Sequence, residues 1–185
     1  ISGLVAASGY DVLSAKIITR SDGYALDTFF IQNKERKPIS EDYLRKKLIR
    51  TITQGLEGDF NIEKELSKKW EEIPSRFRAV KAPTRVIVDN KTSDAYTILD
   101  IKCKNAPGVL YKITKVITSL GLQINTANVS TYGDRVVDIF YLKNAFGSKL
   151  DDDITIKKVK SSILEELKEI DFVNKVIKSW DVNER

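Results

Sequence analysis

The chain of 185 residues contains no histidine, and that excludes a good deal of chemistry. The commonest general base near neutral pH and the commonest metal ligand are both missing. The single cysteine, Cys103, leaves no internal disulfide and no usual zinc site. A GxxxxGK[ST] phosphate loop, a GxSxG elbow and a GxGxxG fingerprint are absent. No apolar run approaches the roughly 20 residues that span a bilayer, and no signal-peptide pattern is present. A self-contained enzyme, a metalloprotein and a membrane protein are therefore the least favoured readings. The lone thiol fits a reducing, cytoplasmic setting. Because Cys103 continues the alternation of Leu99 and Ile101, it reads as a small core residue. Methionine is absent too, and Ile1 falls inside what reads as a helix; the expectation is a segment of something longer.

What is present is ordinary for a soluble domain: 31% charged residues, 42% hydrophobic residues and a net charge of +5. The lysines are interleaved with acids, as in Glu63-Lys64-Glu65 and Glu166-Leu167-Lys168-Glu169, which describes solvated helix faces. No basic stripe carries stacking aromatics in register, so nucleic-acid binding is not expected.

The informative feature is an internal repeat. ITRSDGYALDTFFIQN (18–33) is echoed by STYGDRVVDIFYLKN (130–144). Aligning Gly9 with Gly121, an offset of 112, puts Val12 on Ile124, Ala15 on Ala127, Ile17 on Val129 and Thr19 on Thr131. Asp27 falls on Asp138 at an offset of 111, so one residue is lost in the turn, where glycine tolerates length variation.

The second copy reads in full. Tyr96 to Cys103 alternates as a strand. The loop Asn105-Ala106-Pro107-Gly108 opens an amphipathic helix with Leu110, Ile113, Ile117 and Leu120 on one face, closed by a left-handed cap at Gly121. From Ile124 to Ala127 and Val129 the apolar parity shifts, which predicts a bulge, and Val12, Ala15 and Ile17 shift in the same way. Val136 to Leu142 is the hairpin partner. A second helix carries Ile156, Val159, Ile163, Leu167 and Ile170, with Asp151, Asp152 and Asp153 at its positive end. Phe172 to Ile177 is expected as a last strand. This order is the split βαββαβ unit.

In the first copy the hairpin is intact, and a helix from about Glu41 to Leu56 has Ser40 as its expected N-cap. Ile62, Leu66 and Trp70 predict a packing helix near 60–73, and Phe77 to Val80 could complete the sheet. The first strand is missing. The predicted organisation is α+β: tandem ferredoxin-like domains at 1–80 and 81–185, antiparallel sheets with helices on one face, the first copy truncated. Open sheet edges would be removed by side-by-side pairing of the two copies or by a homodimer.

NAPGVLYKI before a helix, GLQI opening the next strand, and TYGDRVVDIFYL together resemble the ACT domain, a βαββαβ module that senses amino acids. With VDN, SD and YT ahead of them and DGYALDTFFIQN in the first copy, the likeness sharpens to the ACT pair of PII uridylyltransferase/uridylyl-removing enzymes. It covers nearly the whole chain and is weakest from 59 to 75. The resemblance implies regulation: glutamine as effector, upstream catalytic domains in the same chain, and the PII signal protein as substrate of the whole enzyme. Mg and UTP would serve those upstream domains, with no cofactor in this segment. Two other readings stay open, a ligand-free dimerisation or docking module and the regulatory end of an amino-acid biosynthetic enzyme.

The expected amino-acid site is Asn105, Ala106, Pro107, Gly108, Val109 and Leu110 together with Gln123, Ile124 and Asn125. Pro107 suits a first helical turn, Gly108 a close ligand approach, and the helix-start amides a carboxylate. Gln123 and Asn125 are expected near that loop, where they could bond a carboxamide, and Asn128 is a weaker candidate. Related domains commonly carry aspartate where Asn105 stands; the amide offers a ligand ammonium no charge partner. Asp27 and Asp138 read as structural carboxylates that satisfy backbone or hydroxyl groups.

Overall fold

A computed structural model describes residues 1–20, 22, 24–58, 60–71 and 83–181. The elements are α1 (Ser2–Ala7), β1 (Asp11–Thr19), β2 (Ala25–Gln32), α2 (Asp42–Leu56), α3 (Ile62–Glu71), β3 (Arg85–Asp89), β4 (Thr97–Lys104), α4 (Val109–Ser119), β5 (Gln123–Tyr132), β6 (Arg135–Lys143) and α5 (Asp153–Asp181). The strands form one sheet in the order β2-β1-β5-β6-β4-β3, with every neighbouring pair antiparallel. The fold is α+β and ferredoxin-like.

One face of this sheet is the core. Val86, Leu99, Ile101, Cys103, Ala127, Val129, Val136, Phe140 and Leu142 point from the strands toward Ile113 and Ile117 of α4 and Val159, Ile163 and Leu167 of α5. Strand period 2 and helix period 3.6 thus converge on a single apolar layer. Lys112 of α4 meets Glu166 of α5 at 2.9 Å, half-buried, and fixes the pairing of the two helices. The motif VDN…SD…YT serves the frame as well. Asp89 accepts from the Lys91 and Thr92 amides, and the Thr97 hydroxyl donates to Asn90 Oδ1 at 2.6 Å while accepting the Leu150 N–H at 2.9 Å.

The two halves meet strand to strand. β1 pairs with β5 through Ser14↔Ser130, Ala15↔Val129, Lys16↔Asn128, Ile17↔Ala127 and Ile18↔Thr126. At the offset of 112 Ser14↔Ser130 maps onto Ile18↔Thr126, Ala15↔Val129 onto Ile17↔Ala127, and Lys16↔Asn128 onto itself, so a local twofold passes through Lys16 and Asn128. The register shifts at Val12/Ser14 and Ile124/Thr126, where the parity change predicts bulges. The recurring threonines hold these bulges across the seam: Thr19 Oγ1 donates to the Ile124 carbonyl at 2.7 Å, and Thr131 Oγ1 to the Val12 carbonyl at 2.8 Å. Helix ends repeat too. Gly121 (φ 72) and Leu122 return their amides to Thr118 and Ile117, as Gly9 (φ 86) and Tyr10 do to Ala6 and Val5.

Three expectations are corrected. Phe172 to Ile177 lies in the backbone of α5, not in a strand. No glycine or proline interrupts 154–181, so nothing stops the helix at Ile170. The sheet position beside β4 is taken instead by β3, from the chain ahead of the repeat unit. Ser40 does not cap α2; Glu41 is the N-cap residue, and the Ser40 carbonyl instead accepts Arg45 Nη2 at 3.3 Å. The Phe77 to Val80 segment, the 80/81 boundary, and Ser21 and Gly23 of the hairpin turn lie outside the described residues.

Candidate functional site

The loop after β4 is built by a short turn. The Ala106 carbonyl accepts the Val109 N–H at 3.0 Å, with Pro107 and Gly108 between them. Gly108 at φ 77, ψ 11 is the third position of a type II turn, which requires positive φ there and favours proline just before. Gly108 is also the N-cap of α4, so Pro107 precedes the helix and does not occupy its first turn. A Cβ on Gly108 would stand 2.6 Å from Leu66 Cδ1. The close approach that glycine permits is therefore to α3, not to a ligand. Val109 and Leu110 are buried, and the Val109 amide is taken up by the turn itself. The Asn105 amide donates to the Asp134 carbonyl at 2.7 Å, and Nδ2 reaches the Gly133 carbonyl at 3.5 Å. The loop is thus pinned to the β5–β6 turn.

That pinning separates the expected site residues. β4 and β5 are joined by the crossover helix α4 and run parallel on either side of β6, so the loop sits at the end of β5, beside Gly133 and Asp134. Gln123, Ile124 and Asn125 are at the beginning of β5, where Gln123 faces Lys143. A strand of ten residues puts them roughly 30 Å away. Gln123 is exposed, and Asn125 Oδ1 is buried without a partner at the far end.

Their repeat counterparts occupy the place instead. At the offset of 112, Gln123, Ile124 and Asn125 correspond to Asp11, Val12 and Leu13, and the local twofold sets those residues against the loop. An open cleft of about 520 Å³ is walled by Asp11, Gln32, Lys34, Arg36, Lys69 and Asn105. A small inner cavity of about 30 Å³ shares Asp11, Asn105 and Thr131 with it and has Asp138 in its wall. Burial raises the carboxyl of Asp11, while Lys34 and Arg36 hold it down. Asp138 is fully buried. Its Oδ1 receives the Ser130 N–H at a long 3.4 Å, and Oδ2 receives nothing. Burial pushes it up to about 7. Asp138 thus serves a backbone group as expected, through Oδ1 alone. Asp11 is not marked in the sequence, because only the pairing of β1 with β5 brings it to the loop.

Chemically, the seam brings the carboxyls of Asp11 and Asp138 together with the Asn105 loop and, on the outer cleft, with Lys34, Arg36 and Lys69. The sheet, with this turn ahead of α4, defines the chain as a module of the ferredoxin-like α+β class. Residues 92–169 match the family model described as the ACR family N-terminal ACT domain. Over most of its length the chain is similar to bifunctional uridylyltransferase/uridylyl-removing enzymes. It is 43% identical over 150 residues to that of Rhodospirillum rubrum, covering 81% of this chain and 16% of the relative. The enzymes of Gluconobacter oxydans and Azospirillum brasilense are 35% and 34% identical, each covering 90% of this chain and 18% of the relative. The chain thus spans less than a fifth of the length of these relatives.

Proposed function

We propose that the chain is a glutamine-sensing regulatory segment, a tandem ACT pair that controls UMP addition to and removal from a PII signal protein. Glutamine binding at the seam favours one arrangement of the two halves and thereby biases catalytic domains elsewhere in the same protein, which would use Mg and UTP. A ligand shifts such an equilibrium only by its differential affinity for the two arrangements. The observation that carries the reading is the cleft between Asp11 of one half and the Asn105 loop of the other. Asn105 lacks the charge that related loops supply; Asp11 and Asp138 offer it from the opposite wall and floor. Lys34, Arg36 and Lys69 on the outer cleft suit the carboxylate of a zwitterion.

The described residues include no cluster of three or more His, Cys, Asp or Glu able to hold a metal and no helix long and apolar enough to cross a membrane. The whole protein is proposed to work in the cytoplasm. Titration calorimetry of glutamine against serine tests the reading. Specific heat with glutamine supports it, and equal or absent heats overturn it. One observation favours a docking role as the second reading: Leu26 and Phe30 project from the open sheet face, each 62% exposed. A dimer that forms with concentration and ignores amino acids would select that reading.

A further inference from the structure

The core stripe of β6 runs Val136, Asp138, Phe140, Leu142, all essentially removed from water. A carboxyl in the second place of that stripe has no structural use on view. It bonds nothing but a distant Ser130 amide, and its other oxygen is unpartnered. Buried polar groups without partners are rare enough that each calls for a reason. The small cavity beside it has room for a single water-sized group. Among the described residues no cationic side chain lines that cavity. Tyr10, just ahead of β1, and Asp11 of β1 line it, while α1, α4, β5 and the rest of β6 bring no titratable group to its wall. The cations stand on the outer cleft instead, as Lys34, Arg36 and Lys69. The seam is therefore polarised, with attraction for a cation at its inner end and for an anion at its mouth.

We propose that Asp138 receives the ammonium group of the amino acid bound in the cleft, and that binding is coupled to release of the Asp138 proton. The inference rests on the reading of the cleft as an amino-acid site and adds the ligand's orientation and a proton linkage. Without ligand the carboxyl titrates near neutrality, because burial disfavours its charge. The arriving ammonium stabilises the carboxylate, the proton leaves to solvent, and no other bond is made or broken. Affinity then rises with pH until the free carboxyl is fully ionised.

The test is calorimetric titration of L-glutamine into the full chain from about pH 6 to about pH 8, in two buffers of different ionisation enthalpy. The expected result is an affinity that rises about tenfold over that range, with close to one proton released at the acidic end and almost none at the alkaline end. Asp138→Asn removes the slope and the proton release and weakens binding, whereas Asp11→Asn weakens binding and keeps the slope. The analogue lacking only the α-amino group, 4-carbamoylbutanoate, binds weakly and without the slope. A slope that persists in Asp138→Asn, or a wild-type affinity indifferent to pH, overturns the inference while leaving glutamine sensing intact. Absence of glutamine heat at every pH overturns the sensing reading, and the inference with it. Should Asp138→Asn fail to fold, the wild-type proton release and the analogue decide the matter unaided.

Discussion

Replacing Gly108 by alanine separates two demands that the structure makes on one residue. The first is conformational: φ is 77, and a side chain there costs about 1 kcal/mol or somewhat more. The second is steric. The new Cβ would stand 2.6 Å from Leu66 Cδ1 and 3.0 Å from Cδ2. Leu66 is only 5% exposed and packs with Ala6 and Ala7, so it has little room to withdraw. Overpacking of this kind costs about 1–3 kcal/mol, which brings the sum to roughly 3 kcal/mol. Gly121 is the matched control, with φ 72 and nothing within 4 Å of its added Cβ. Gly121→Ala should therefore cost only about 1 kcal/mol. Urea unfolding of both variants measures the difference. A double-mutant cycle with Leu66→Ala should recover at least about 1 kcal/mol of coupling at Gly108 and none at Gly121. Equal destabilisation by the two alanines, or no coupling to Leu66, would refute the close packing of α3 on the loop.

Three other outcomes follow. Thr131→Val, which strips the hydroxyl from the Val12 carbonyl across the seam, should lower stability by about 1–2 kcal/mol, and Thr19→Val should do the same at its twofold mate. Thr97→Val leaves the Leu150 amide and Asn90 Oδ1 unpaired and should cost about 1–3 kcal/mol, read as a lowered unfolding midpoint. Asp138 carries a folded-state value raised from 3.8 to about 7, so between those values the native state holds more protons than the unfolded one. Its contribution is therefore favourable at acidic pH and is lost as pH rises from about 4 to 7, by on the order of 4 kcal/mol. Unfolding measured against pH should show that fall in the wild type and not in Asp138→Asn. A fall unchanged in the variant would assign it to other groups.

The elements visible in the sequence are those whose cause is local. The parity shifts at Val12 and Ile124 announced the bulges, because a bulge must move apolar residues to the other phase. Gly121 announced its cap for the same kind of reason. The turn at Ala106 to Val109 was visible as Pro-Gly, but its purpose was not, since Leu66 lies some forty residues earlier. β3 and the long α5 were exchanged for a last strand because Phe172 to Ile177 has strand-like composition in a helical context. Propensity is a weak guide once a helix is already running. The site was half legible. The loop stood out by its residues, whereas Asp11 joins it only through strand pairing between the halves, which no periodicity records. Asp138 looked like any hairpin carboxylate until its missing partner and its cavity were seen together.

The central claim is that ligand binds where β1 of one half meets the Asn105 loop of the other. Backbone amide shifts of the isotope-labelled chain, followed as glutamine is added, test it most directly. Saturable changes at Asp11, Asn105, Thr131 and Asp138, with Gln123 and Asn125 at the far end of β5 unmoved, are the predicted result. Changes confined to Gln123 and Asn125, or none at any of these amides, would contradict it.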